Sequence, residues 1–244
     1  MYLIILKRPA IAMIELIFAI VIMGIVLMSA PMLLSEASKS GLVVVQQEAI
    51  AAASSELGMI LTRHWDEQDT NESLESPILV TAGDAELQEA RYADGSLSGR
   101  RAGTPLSSAR TFLTSLGGRL NSTAPASLGA DAGDRDDIDD FNGVTITLNN
   151  IDPTSTQSGD YADKSLQLVP TVNYVSDTPS SGSYNGSQLS LNTPITTAAP
   201  GTSNIKRVSI TVTSGSNSNV LNTNITLHAF SCNIGTYELE ERRF

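Results

Sequence analysis

Cysteine is nearly absent: Cys232 stands alone in 244 residues, and a single thiol cannot close an intrachain disulfide. Its strand-like surroundings suggest a small, half-buried strand residue. Histidine is almost as scarce. His64 and His228 are far apart in sequence, and neither sits in a metal-binding or nucleophile motif. No glycine-rich phosphate loop, Walker motif or cysteine pair occurs, so the sequence gives catalysis no support and reads as that of a non-enzyme. Basic residues are also few: 15 against 26 acidic ones, for a net charge of −11. A surface this acidic disfavours nucleic acid, because phosphate recognition needs clustered Lys and Arg.

What the chain does have is one long apolar run, residues 11–34, preceded by ten residues that include the basic pair Lys7-Arg8. At about 1.5 Å per residue it makes a helix of roughly 36 Å, enough to cross a hydrocarbon core of about 30 Å. Glu15 lies near its start. An ionised carboxylate in such a segment costs about 2.5–3.5 kcal/mol on insertion scales, and more without a partner. A plain anchor gives that residue no reason to exist. A secretory signal has an apolar region of only about 7–15 residues, and the small-residue cut site available here, after Ala30, is followed at once by Pro31. Lys7 and Arg8 keep the N-terminal side cytoplasmic by the positive-inside tendency, which places everything after residue 34 outside the inner membrane.

Beyond the apolar run the pattern predicts one helix over residues 11–65. Its second half is amphipathic, with Ile50, Ala53, Leu57, Ile60 and His64 stepping by three and four along one face. Gly41 and the β-branched run Val43-Val44-Val45 are poor helix formers, so local weakening is expected there. Residues 66–140 are rich in Gly, Ser, Ala and acidic side chains and read as a variable connection. Within it Thr104-Pro105 supplies an N-cap and first-turn signal for a short helix to residue 116, ended by Gly117-Gly118. Strand-like runs follow at 144–148, 166–174, 188–191, 205–213 and 224–230, separated by Ser, Thr, Asn and Gly segments. One helix followed by many strands implies an α+β head in which an antiparallel sheet covers the apolar face of the helix.

The densest polar cluster runs from Asp131 to Gly143. Asp134, Asp136, Asp137 and Asp139 are candidate calcium ligands, because calcium takes six to eight oxygens and alternate carboxylates on a tight loop can supply several. The segment lacks the glycine and closing glutamate of an EF-hand loop, and a solvated acidic turn ahead of a strand explains the same residues.

Lys7-Arg8-Pro9-Ala10, followed by Ile11-Ala12-Met13-Ile14-Glu15-Leu16-Ile17-Phe18-Ala19-Ile20, resembles the start of type IV pilins and type II secretion pseudopilins. The resemblance covers residues 7–34. It implies that a prepilin peptidase, which is also the methyltransferase, removes a basic leader between Ala10 and Ile11, methylates the new N-terminus at Ile11, and leaves Glu15 as the fifth mature residue. The family commonly has Gly before the cut and Phe after it, where this chain has Ala10 and Ile11; Ala is a tolerated variant. A proline about twenty residues into the mature chain is also common in the family, and Pro31 stands there.

The resemblance gives a leader (1–10) and a transmembrane and filament-core helix (11–34), and the pattern beyond it gives the amphipathic continuation (35–65), the connection (66–142) and the sheet head (143–244). It implies a bacterial inner-membrane protein that moves into a periplasmic or surface filament. Its partners would be the peptidase, other pilin or pseudopilin subunits and an inner-membrane assembly platform. Glu15 would pair with the Ile11 amine of a neighbouring subunit. The large region beyond the membrane segment favours a minor or specialised subunit. The alternative is an adhesin or binding module tethered by the helix or carried at a fibre tip, for which long Ser/Thr/Asn loops on a sheet are suitable. No cofactor is expected apart from the candidate calcium.

Overall fold

The computed structural model describes residues 9–70, 76–129, 134–149, 165–191, 196–214, 221 and 223–235. The chain forms two compact units that divide between Glu48 and Ala49. One helix, α1 (Pro9–Ile60), runs through the first unit and into the second, with Pro31 inside it. The β-branched run at 43–45 and Gly41 do not interrupt it. Their propensity deficit is under about 1 kcal/mol per residue, and once a helix is nucleated each added residue gains a backbone hydrogen bond.

Side chains between Met13 and Leu34 that are large and apolar, among them Ile14, Phe18, Ile22 and Leu33, are exposed along the first unit. α1 is long and apolar enough to cross a membrane.

The second unit opens with the last turns of α1, where Ala49, Ala53 and Ile60 are wholly buried. Ala53 and Ile60 are members of the expected stripe, whereas Ile50 is exposed and its place is taken by Ala49, one turn before Ala53. The helix also stops earlier than the expected residue 65. Thr62 and Arg63 close a tighter last turn onto the carbonyls of Met59 and Ile60, and His64 then leaves to pair with the acidic segment. Its N–H donates to Asp136 O at 3.3 Å and its carbonyl accepts from Ile138 N at 3.0 Å, a short parallel bridge.

A four-stranded antiparallel sheet, in the order β3-β4-β7-β8, forms the head. Its strands are β3 (Ile146–Asn149), β4 (Ser165–Val175), β7 (Ile205–Ser214) and β8 (Ile225–Cys232). These match the four longest runs expected from alternation. Register pairs Val172 with Val208 and Ile210 with Leu227. One face therefore carries Leu166, Leu168, Val172 and Tyr174 beside Lys206, Val208, Ile210 and Val212, all buried. The architecture is thus α+β, one long helix and antiparallel sheet.

Among the described residues two smaller pairs add to these strands: β1 (Glu89–Arg91) with β2 (Leu97–Arg101), and β5 (Ser181–Gly182) with β6 (Leu189–Ser190). The β1/β2 hairpin lies in the stretch read as a variable connection, where no strand is expected. Its signal was Asp94-Gly95, where Gly95 takes φ +84°, a left-handed conformation that suits glycine in a tight turn.

The short helix expected from Thr104 to residue 116 is not formed. That segment makes isolated turns, Thr104 N to Arg101 O and Ser108 N to Pro105 O, and then runs alongside β2, with Phe112 N donating to Gly99 O at 2.7 Å. The Arg100 guanidinium takes the carbonyl oxygens of Pro105, Ser108 and Arg110, and Phe112 is buried. One side chain satisfies the acceptors that a helix would have used internally, and burial of Phe112 favours the extended path.

Candidate functional site

The residues singled out by sequence fall in two places, one in each unit. In the first, the peptide bond between Ala10 and Ile11 lies in the opening turn of α1. Glu15 follows Ile11 by four residues, hence on the same side of the helix one turn later. It is exposed among exposed apolar neighbours, Ile14, Leu16 and Phe18. Lys7 and Arg8 lie outside the described residues, as does the C-terminal stretch 236–244 with its mixed charge and aromatic residues.

In the second unit, the acidic cluster, described from residue 134 onward with 131–133 outside the described residues, is not a solvated turn. Asp137, Asp139 and Asp140 are buried, while Asp134 is exposed and Asp136 half-buried. A 3-10 turn (Asp139–Phe141) brings this segment under the sheet. There the Lys206 ammonium, 0% exposed, is the buried cation that receives it. Lys206 Nζ donates to Trp65 O at 2.7 Å, to Asp66 Oδ2 at 2.9 Å and to Asp139 Oδ1. It also lies 4.4 Å from the Trp65 ring centroid and 5.4 Å from that of Tyr174, and the two rings meet edge to face. A charge this deep needs such compensation.

Asp66 is the most heavily hydrogen-bonded acid of the group. It accepts from Gln68 N at 3.2 Å, from Thr123 N at 3.0 Å and from Thr123 Oγ1 at 2.8 Å. The Tyr174 hydroxyl lies 3.2 Å from its Oδ2 and 2.8 Å from Thr123 O. Asp69 caps the same turn by accepting from Asp66 N, and faces His64 Nδ1 at 3.5 Å. Around Asp137 the bonding is internal: Asp137 Oδ1 accepts from Asp140 N at 2.9 Å, and Asp140 Oδ2 from Asp136 N at 3.0 Å.

Burial dominates the electrostatics. It pushes the Asp137 carboxyl up to about 8, with the neighbouring Asp139 charge adding to the rise. Asp139 is raised to about 6 by burial, against the pull of Lys206, and Asp69 to about 6 by burial, against the pull of His64. Desolvation also drives the Tyr174 phenol upward, followed by the Asp66 and Asp139 charges. More carboxyls are buried here than one ammonium can balance, so some hold protons at neutral pH.

Of the four candidate calcium ligands, then, Asp139 faces an ammonium group, Asp137 is bonded within its own turn, Asp136 is half-buried with its backbone carbonyl on His64 N, and Asp134 stays at the surface. Among the described residues no group of three or more His, Cys, Asp or Glu side chains is arranged to hold a metal ion. His64 and His228 have separate hydroxyl partners, Ser76 at 3.2 Å and Ser209 at 2.8 Å. Cys232 is a free thiol at the end of β8, exposed rather than half-buried.

Sequence reasoning missed Lys206 and Asp66. Lys206 stands at a core position of a strand between Ile205 and the run from Val208, and a lysine in phase with buried strand residues is the signal that could have found it.

An open cleft of about 390 Å³ lies elsewhere on the head, lined by Gly83, Asp177, Thr178, Pro200, Thr202 and Ser203 among others. Asp177 is fully occupied, taking Asp84 N at 3.0 Å on one oxygen and Asn204 N at 3.0 Å and Nδ2 at 2.7 Å on the other.

Comparison of the chain with protein-family models, curated proteins and solved structures finds no match.

Proposed function

We propose that the chain is a structural subunit, minor or specialised, of a type IV pilus or type II secretion pseudopilus. The observation that carries this reading is Glu15, one turn after Ile11, on an apolar helix long enough to cross a membrane. The α+β head that follows is the second support.

In this reading the prepilin peptidase cuts between Ala10 and Ile11 and methylates Ile11, while Lys7 and Arg8 hold the leader on the cytoplasmic side. The exposed apolar surface of α1 is covered first by lipid and then by the helices of neighbouring subunits in the filament core. Loss of lipid contact costs little when other apolar helices replace it. The Glu15 carboxylate, left without water, pairs with the Ile11 amine of an adjacent subunit.

Mass spectrometry of the N-terminus, on protein from membranes and from sheared filaments, tests the reading. A mature chain beginning at N-methylated Ile11, dependent on the peptidase and present in both fractions, is expected. An intact leader in every fraction, or a chain beginning at Pro31, sinks it.

The tethered binding module is the second reading, and the polar cleft around Gly83 and Thr202 favours it. It requires a membrane-bound or tip-located protein whose head captures a ligand without forming a fibre.

A further inference from the structure

A primary amine with no solvent exposure, in hydrogen-bond contact with two carboxyl groups from distant parts of the chain, is set up for more than an ion pair. Lys206 on β7 meets Asp66 just after α1 and Asp139 in the acidic turn, 140 and 67 residues away in sequence. The aromatic faces of Trp65 and Tyr174 close the remaining sides. Reacting groups held in this manner reach effective concentrations on the order of 10⁵–10⁸ M, and exclusion of water disfavours the reverse hydrolysis.

The two acids are not equivalent. Asp66 is fixed by Gln68, Thr123 and the Tyr174 hydroxyl, whereas the hydrogen bond described for the Asp139 carboxyl comes from Lys206. Burial also favours the protonated form of Asp139, and an undissociated acid is open to attack by an amine where a carboxylate is not.

We propose that Lys206 and Asp139 become joined by an amide bond between Nζ and Cγ, formed inside the folded head with loss of one water. The Lys206 ammonium first passes a proton to Asp66 Oδ2, which is the base within 2.9 Å. The neutral amine then attacks Cγ of protonated Asp139, forming the C–N bond. The C–O bond to the acid hydroxyl breaks, and that hydroxyl departs as water with the second proton released by nitrogen. Asp66 retains the first proton until solvent removes it. Nothing is oxidised or reduced, and no co-reactant is consumed. The product ties β7 covalently to the acidic turn and replaces a buried ion pair with a neutral amide. A subunit that must bear tension along a fibre gains from such a bridge, though the chemistry stands whatever α1 assembles into.

The test is peptide mass mapping of the purified full-length protein after denaturation and tryptic digestion. With Lys206 blocked, trypsin fails to cut after it. The segment from Ser165 to Arg207 is then recovered attached to the segment from Asp136 to Lys164, with a total mass one water below the sum of the two. Lys206→Arg and Asp139→Ala each abolish the branched product and restore full mass. Asp139→Asn closes by releasing ammonia instead of water, and so converges on the wild-type branched mass. Complete cleavage after Lys206 in the wild-type protein, with the Asp136 segment recovered linear and at full mass, overturns the proposal even if every variant misfolds. A branch that maps to Asp66 overturns it as well.

Discussion

The Lys206 ammonium and the Asp66 carboxylate lie 2.9 Å apart with both side chains fully buried, and five segments of the chain converge on that contact. Asp66 also takes the backbone and hydroxyl of Thr123, and Tyr174 from β4 reaches both. The contact thus ties the end of α1, the connection, the acidic turn and two central strands together. Replacing Lys206 with Met keeps the volume but leaves Asp66 buried without its cation. Loss of one member of a buried pair costs about 3–5 kcal/mol, and in molecules where Lys206 is joined to Asp139 the substitution removes that bond instead, so Lys206→Met lowers the unfolding free energy by at least about that amount, read from urea denaturation followed by tryptophan fluorescence of Trp65. A loss below about 1 kcal/mol would show that the contact contributes little.

The same burial fixes the direction of the pH dependence. Asp137 and Asp69 have carboxyls raised from 3.8 to about 8 and about 6. In the folded state they hold protons that the unfolded chain releases above roughly pH 4. The folded state therefore binds more protons between about pH 4 and pH 8, and stability falls as pH rises through that window. Glu89, lowered by the Arg119 ion pair, acts in the opposite sense, but only at and below the ordinary carboxylate range. Thermal melts of the full chain in detergent should give a higher Tm at pH 5 than at pH 8. Asp137→Asn, a neutral stand-in for the protonated acid, flattens that slope. An unchanged Tm across the window contradicts this account of the buried acids.

Gly83 marks a close approach. A Cβ built there falls 2.2 Å from Asp177 Oδ2, the oxygen that accepts both Asn204 donors. Gly83→Ala must displace that carboxylate and break the link between the connection and the loop before β7. Overpacking of this kind costs about 1–3 kcal/mol. Gly41→Ala, with nothing within 4 Å of its Cβ, is the matched control and leaves the Tm of the head in place. Equal melting of the two variants would mean that Asp177 has room to move.

The contrast between these positions explains how far the sequence could be read. The long helix and the four main strands rest on periodicity, and periodicity is local: residues 166–174 alternate in sequence just as β4 does in burial. The acidic segment was legible as a cluster but not as a core element. Its fate depends on Lys206, which lies 67 residues further on. The same holds for Arg100, whose hydrogen bonds to the carbonyls of Pro105 and Arg110 replace a helix that the Thr104-Pro105 signal favoured. Local patterns specify elements, whereas the distant carbonyl or carboxyl that a charged side chain captures leaves no trace near it in sequence.

Glu15 provides the test that separates an assembly helix from an anchor. If its carboxylate pairs with the Ile11 amine of a neighbour, Glu15→Ala leaves that amine unpartnered in an apolar bundle, at a cost of about 3–5 kcal/mol per contact. Insertion into the membrane survives, because the substitution makes the segment more apolar and Lys7 and Arg8 still orient it. Cleavage between Ala10 and Ile11 survives too, since processing precedes assembly and Glu15 lies beyond the cut. The expected phenotype is processed, membrane-resident protein missing from sheared filaments. Glu15→Asp, which keeps the charge on a shorter side chain, restores incorporation in part. Incorporation of Glu15→Ala at wild-type levels would remove the carboxylate from the assembly interface and leave α1 as a tether for the head.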